Sequence, residues 1–247
     1  MAEGAVGGRR HASAHAETIQ LMQKHQSSGS GSSVLSPTVP TDIGETSQRH
    51  RIIEAMIESC AEKTYAATTI TDIVSRARIS RTTFYKRFGD KRSCFAATVD
   101  FCLAELQGAA REAYSPADAP PEAVRQATVA ILAQMAARPA MAQLLTGDAV
   151  SVDPGVVVRY RKILIPALEG LWENAGLPAS SYIDPGLAFS RAQLLVFNQT
   201  AAGHSDDLLV LLPDIVYLAV APFGGHEEAL AQARLARSAN GKPAARR

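Results

Sequence analysis

Cysteine is scarce in this chain: Cys60, Cys94 and Cys102 are the only three among 247 residues. Their number is odd, and no C-x-x-C pair occurs. That argues against a disulfide framework or a cysteine-built metal site and fits small buried thiols in a reducing compartment. Aromatic residues make up 6 % of the chain, with a single Trp. The sequence has no G-x-S-x-G, P-loop, H-E-x-x-H or G-x-G-x-x-G, so the common hydrolase, nucleotidase, metalloprotease and dinucleotide classes lack their signatures. Asp206-Asp207 and Glu227-Glu228 are adjacent pairs whose side chains diverge on a helix. His204 suits a cap, and His11 and His15 sit in a Gly/Ser-rich tail, so no catalytic residue, metal or cofactor is expected. No apolar run approaches the ~20 residues of a membrane span. The N-terminus also lacks the apolar core of a secretory signal, so a cytoplasmic protein with no membrane partner is expected. No stretch alternates with strand period, and the expected fold is all-α.

The charge is unevenly placed. The chain's formal charge is only +1. Residues 47–92 nevertheless hold ten cations against five anions, while residues 93–247 hold twelve against fifteen. A basic segment of +5 joined to a body of −3 suits a polyanion-binding head on a body that does not bind nucleic acid.

Within the basic segment, Thr69-Ile70-Thr71-Asp72 reads as a capping box, with Thr69 and Asp72 able to satisfy each other's backbone donors. Ile70, Ile73, Val74 and Ala77 then share one face of a helix ending near Arg78. Ser80 is a suitable N-cap for a second helix from Arg81 to about Phe88, which Gly89 ends. Ile79, Phe84 and Phe88 can pin it to the first helix. The other face carries Arg81, Thr82, Thr83, Tyr85 and Lys86, the hydroxyls and cations suited to phosphates and base edges. Before this motif, residues 47–63 form a helix with the apolar stripe Ile52, Ile53, Met56, Ile57, Cys60 and Ala61. The turn Thr64-Tyr65-Ala66-Ala67 follows it. Asp90 caps a long helix from Lys91 to about Ala113, which leads out of the basic segment.

From Arg49 to Phe101 the sequence closely resembles the DNA-binding signature of TetR-family transcriptional regulators. The residues carrying the resemblance are Thr68-Thr69, Asp72-Ile73, Ala77, Ile79-Ser80, Thr83-Phe84-Tyr85, Phe88 and Lys91. The turn departs from the family, with Arg78 where Gly is usual; at positive φ an Arg there costs ~1 kcal/mol relative to Gly. The resemblance implies a three-helix DNA-binding domain at 47–92 and a larger helical effector-binding and dimerisation domain at 93–240. A structureless tail at 1–46 and a flexible end at 241–247 flank them. Thr69, Thr83, Tyr85, Lys86 and Lys91 are expected to hold phosphates. Arg78, Arg81 and Thr82 are expected to reach base edges, with Ser80 at the helix cap beside them. Arg49, His50 and Arg51 can touch a phosphate.

In the body, helices are expected at residues 122–137, 139–145, 154–175, 185–202, 206–221 and 227–238. Asp153-Pro154 and Asp184-Pro185 start two of them, and Gly176 and Gly203 end them. Pro166 and Pro213 are expected to kink their helices. The segment around residues 206–221 is apolar almost all round, as a helix buried on both sides would be. The resemblance implies that the penultimate long helices pair across a twofold axis, through Leu194, Phe197, Leu208, Leu212, Ile215 and Val216. A mostly apolar effector pocket is expected among Phe101, Met135, Met141, Arg159, Tyr160, Trp172, Phe189, Gln193 and Asn198. These readings imply a homodimeric repressor released from a palindromic double-stranded DNA operator by a small molecule. An effector-independent architectural DNA-binding protein, or a helical enzyme with an incidental helix-turn-helix, remains the alternative.

Overall fold

The computed structural model describes residues 41–177 and 183–240, and among these there is no strand. Helix α1, Thr41–Ala67, begins six residues ahead of the expected Ser47. The expectations for residues 1–40 and 241–247 lie outside the described residues. Ile52, Ile53, Met56, Ile57 and Cys60 are buried as their spacing requires. The helix breaks at Thr64, where φ is 73° and ψ 158°. The buried Thr68 hydroxyl then closes the break by donating to the Thr64 and Ser59 carbonyls.

Helices α2, Ile70–Ala77, and α3, Arg81–Arg87, form the helix-turn-helix. The Thr69–Asp72 capping box is present with both hydrogen bonds. The Ile79 N–H donates to the Val74 carbonyl and the Arg78 N–H to the Ser75 carbonyl. This is a Schellman cap, whose left-handed position is most often Gly. Here Arg78 occupies it, at φ 52° and ψ 53°. Phe84 is fully buried and Phe88 nearly so, each contributing about 1.5–3 kcal/mol of transfer free energy toward holding α3 against the core.

Asp90 accepts from the Ser93 N–H at 2.6 Å and starts α4, Lys91–Glu112. The boundary expected after Arg92 therefore falls inside a continuous rod. Cys94, Phe95, Val99, Cys102 and Leu103 form its buried stripe. Burial pushes the Cys60, Cys94 and Cys102 thiols up to about 12, so all three stay protonated and unreactive at neutral pH.

The body continues with α5, Pro120–Ala137, and α6, Pro139–Gln143. A π-helical turn at Leu144–Asp148 follows, then α7, Ala149–Val152. Next come α8, Gly155–Asn174, and α9, Pro185–Ala201. Asp184 caps α9 through the Leu187 N–H at 2.8 Å. Asp153 accepts from the Gly155 N–H at 3.0 Å, so α8 starts one residue later than expected. Gly176 and Gly203 end α8 and α9 at φ +67° and +82°.

The last apolar stretch differs from expectation. It opens as a 3₁₀ segment, Ser205–Leu211, broken at Asp207, and becomes α10, Leu212–Asn240, only afterwards. Pro213 therefore sits in the first turn of α10, where its missing N–H has no intrahelical partner to lose, and not at a kink. The interior proline is Pro222, and the chain breaks at Gly225, at φ 78°. Ser205–Ala239 contains an 18-residue window with a mean hydropathy of 1.9, long and apolar enough to cross a membrane, where no apolar run approaching that length was expected. Its interruptions at Asp207 and Gly225, and the burial of Leu208, Leu212, Val216 and Val220, make it the central helix of the body.

Candidate nucleic-acid interface and effector cavity

The exposed side of α3 presents Arg81, Thr82, Tyr85 and Lys86, with Arg78 and Ser80 in the turn ahead of it and Thr83 half-buried. Several of these groups already have partners. The Thr69 hydroxyl donates to the Asp72 carboxylate at 2.8 Å. Ser80 accepts from the Thr83 N–H and shares a hydrogen bond with its hydroxyl. Arg81 donates to the Thr71 hydroxyl, which fixes the guanidinium beside the first turn of α2. Arg78, Thr82, Tyr85 and Lys86 have no side-chain hydrogen bond or ion pair among the described residues. Lys86 also borders a polar notch with Gln48 of α1 and Thr83. The outward groups without a hydrogen bond or ion pair among the described residues are thus two cations, a hydroxyl and a phenol, in the turn and on the exposed face of α3.

Much of the basic segment's charge braces the head itself. Arg76 reaches Glu58 and Glu62 of α1 at 2.8 and 2.5 Å, and Lys63 reaches Asp72 at 2.8 Å. The Lys63 contact, with the Thr69 donors, holds the Asp72 carboxyl well below the usual range. Arg49 lies over the Phe88 ring at 5.5 Å. Lys91 departs most from its expected role. Its ammonium donates to the Tyr65 and Thr68 carbonyls at 3.0 and 2.9 Å and sits 4.2 Å from the centre of the Tyr65 ring. Two of its three N–H donors therefore tie α4 to the turn before the reading helices, and one is left for a phosphate.

Two further links join head and body. The Arg138 guanidinium, between α5 and α6, makes two 2.7 Å contacts to the Glu54 carboxylate of α1 and a short ion pair with Glu105 of α4. Partial burial works against its charge, but Glu54 and Glu105 outweigh it and raise its pKa. The Asp148 carboxylate, in the π turn, accepts the Tyr65 N–H at 2.9 Å. Burial raises the Asp148 pKa, and the hydrogen bond only partly offsets this. Sequence reasoning missed both residues. The partners lie 83 to 84 positions apart, and no local pattern announces such pairs.

The body encloses a cavity of about 360 Å³ among α4, α5, α8, α9 and α10, within the ~300–1,000 Å³ typical of small-molecule sites. Of the nine residues expected there, Met135, Tyr160, Phe189 and Gln193 line it. The other five lie elsewhere. Met141 is wholly buried in the core. Trp172 stacks at 5.2 Å on Phe223, and Phe223 itself lines the cavity. Phe101 packs edge-on against His50 at 5.3 Å, Arg159 pairs with Asp153 at 2.6 Å, and Asn198 is exposed on α9. Helical spacing picked out aromatic residues but could not tell core packing from cavity lining. The far half of α4 was overlooked: Leu103, Leu106, Gln107, Ala110 and Arg111 all line the space. Thr146 of the π turn lines it too, hydrogen-bonded at 2.8 Å to Thr200 of α9. The Tyr160 hydroxyl is buried with no hydrogen-bond partner among the described residues, and burial drives its pKa up.

The expected pairing surface needs correction. Leu208, Leu212, Ile215 and Val216 are buried inside the subunit, where the 3₁₀ segment and α10 pack against α5 and α9. Leu194 and Phe197 are 44 % and 41 % exposed, and Leu187 is 68 % exposed on the same side of α9.

Residues 52–98 match the family model for bacterial regulatory proteins of the tetR family. No curated protein sequence matches the chain. Among solved structures, the chain is similar to the transcriptional regulator FadR from Bacillus subtilis in complex with stearoyl-CoA, at TM-score 0.58 and 14 % identity over 71 % of this chain and 98 % of that one. It is similar to a tetR-family bacterial regulatory protein from Rhodococcus RHA1, at TM-score 0.55 and 22 % identity over 72 % and 97 %. It is also similar to a TetR-family transcription regulator from Marinobacter aquaeolei VT8, at TM-score 0.56 and 18 % identity over 81 % and 98 %. At these identities the structural likeness is one of fold, while the sequence match covers the helix-turn-helix itself. The match over residues 52–98, together with the exposed reading helix, identifies this segment as a helix-turn-helix of the tetR family of bacterial regulatory proteins.

Proposed function

We propose that the protein is a homodimeric repressor, cytoplasmic and without catalytic activity, whose reading heads leave a palindromic operator when a small, mostly apolar molecule fills the cavity in the body. Residues 47–92 act as the DNA-binding part and residues 93–240 as the effector-binding and dimerisation part. Each subunit lays α3 in a major groove. Twofold symmetry then requires half-sites about one or more helical turns (~34 Å each) apart. Lys86 and Tyr85 hold phosphates, with Thr83 and the remaining donor of Lys91 beside them. Arg78, Arg81 and Thr82 meet base edges. The two subunits pair through the exposed side of α9, at Leu187, Leu194 and Phe197.

The observation that carries this reading is that one rod serves both ends. The first turn of α4 is bonded to the turn before the reading helices through Lys91, and its last three turns line the cavity. The π turn has the same double attachment, with Thr146 on the cavity and Asp148 on the Tyr65 N–H. A ligand that repacks the wall shifts both attachments together. A coupling of ~1–3 kcal/mol gives roughly five- to 150-fold control of DNA affinity. An architectural protein with no effector would have no use for such a cavity, and that favours the regulated reading.

Selection of bound duplexes from a random DNA pool by the purified full chain tests the reading. Enrichment of a twofold-symmetric sequence is expected. Enrichment of an unsymmetric site, or of nothing, would overturn it.

A further inference from the structure

The cavity wall is chemically one-sided. Most of its lining is Leu, Ile, Val, Ala, Met and Phe. The polar groups at the far end of α4 are Gln107 and Arg111, which at i and i+4 share a face of the rod, with Tyr114 in the bend just past its end. Arg111 is the only charged residue in the lining among the described residues. It has no ion pair or side-chain hydrogen bond among the described residues. Along α4 the lining passes from buried Leu103, through half-buried Leu106 and Gln107, to exposed Arg111, so the cavity opens to solvent where the guanidinium stands. The negative end of the α4 dipole accounts for a cation in this last turn. It does not account for that cation bordering an apolar cavity with no acid in the described lining. A guanidinium carries five donors and cannot be neutralised, and its planar fork matches a carboxylate or a phosphate.

We infer that the cavity's ligand is an anionic amphiphile, with an apolar chain or ring system filling the space among α4, α5, α8, α9 and α10 and a carboxylate or phosphate head held at the mouth by Arg111, assisted by Gln107 and Tyr114. This rests on the reading of the cavity as the effector site and adds the sign and place of the ligand's charge. An effector described only as apolar would gain nothing from Arg111. An amphiphile gains a charge-assisted contact on top of chain burial.

The sole Trp provides the readout. Trp172 is 2 % exposed and stacks on Phe223 of the cavity wall, so filling the cavity changes its fluorescence. Dodecanoate, dodecyl phosphate and dodecanol share one chain and differ only in the head. Titrated into the full chain below their aggregation concentrations, at least one of the two anions should bind about tenfold or more tightly than the alcohol, a difference of ~1.4 kcal/mol. Whichever anion does so identifies the head. In Arg111→Gln the gap should fall below about threefold, while Arg111→Lys should keep part of it. Equal affinity for anions and alcohol in the wild type, or a gap that survives in Arg111→Gln, overturns the inference and leaves the cavity reading intact. Failure of all three probes to perturb Trp172 or protect the protein against thermal unfolding would overturn both.

Discussion

The Tyr65 N–H donates to the Asp148 carboxylate across 2.9 Å, joining the break at the end of α1 to a π-helical turn 83 residues later. The same residue gives its carbonyl to Lys91 and its ring to Phe95, 4.5 Å away between ring centres. Tyr65 is thus the joint through which body, rod and head meet. The bonds around it connect elements that no local pattern relates.

A pH dependence follows from this joint. The Asp148 pKa is raised above its ordinary value of 3.8, by burial first, so the folded state binds its proton more tightly than the unfolded chain does. Its contribution to stability is fully present below that ordinary value and is lost as pH rises through the raised native value. Asp148→Asn keeps an oxygen acceptor for Tyr65 without the charge. Its melting temperature relative to wild type should therefore rise progressively from acidic to neutral pH. A constant offset across that range would show that the carboxylate is not the titrating group.

Arg78 occupies the left-handed position of the α2 cap, at φ 52°. Arg78→Gly should raise stability by ~1 kcal/mol, because Gly takes that conformation without the Cβ clash. The same change should weaken DNA binding if the guanidinium reaches a base. Chemical denaturation with a parallel binding titration separates the two effects. A loss of stability would mean that the Arg78 side chain, not the turn, governs this position.

Lys91 and Lys86 look alike in sequence but stand in different settings. Lys91→Met removes two hydrogen bonds to carbonyls and the contact with the Tyr65 ring. It should destabilise the protein by about 1–2 kcal/mol. Urea unfolding measures this, and a wild-type midpoint would remove Lys91 from the bracing of the head.

Leu194→Glu, on the exposed side of α9, should yield a folded monomer in light scattering. Leu212→Glu places a charge at a residue only 2 % exposed and should instead unfold the body. A dimeric Leu194→Glu protein would place the pairing surface elsewhere.

Local chemistry made the head legible in sequence. The Thr69 and Ser80 caps, the buried Phe84 and the start of α4 at Asp90 each depend on residues within four positions of one another, and all stand where the pattern put them. The left-handed turn at Arg78 could be read as a cost because only the identity of the residue was unusual. The body was legible as helices but not as a site. Large apolar residues at helical spacing look the same whether they line a cavity, as Phe189 does, or fill the core, as Met141 and Trp172 do. The apolar last stretch hid its 3₁₀ opening because Leu208 and Leu212 satisfy either geometry. Their expected place in a dimer interface failed because a helix apolar all round can be covered entirely by its own subunit. The Arg138 and Asp148 links were invisible because both depend on tertiary placement.

The most direct test is the salt dependence of DNA binding by the full chain, wild type and Lys86→Ala, on a duplex selected from a random pool. The wild type should bind at low ionic strength, with log affinity falling linearly against log salt. Loss of Lys86 should make the slope shallower by ~0.9 for each phosphate contact removed, hence by about 1.8 for a dimer. A wild-type protein that ignores duplex DNA at low salt, or a Lys86→Ala protein with an unchanged slope, would contradict the assignment of α3 as the reading helix.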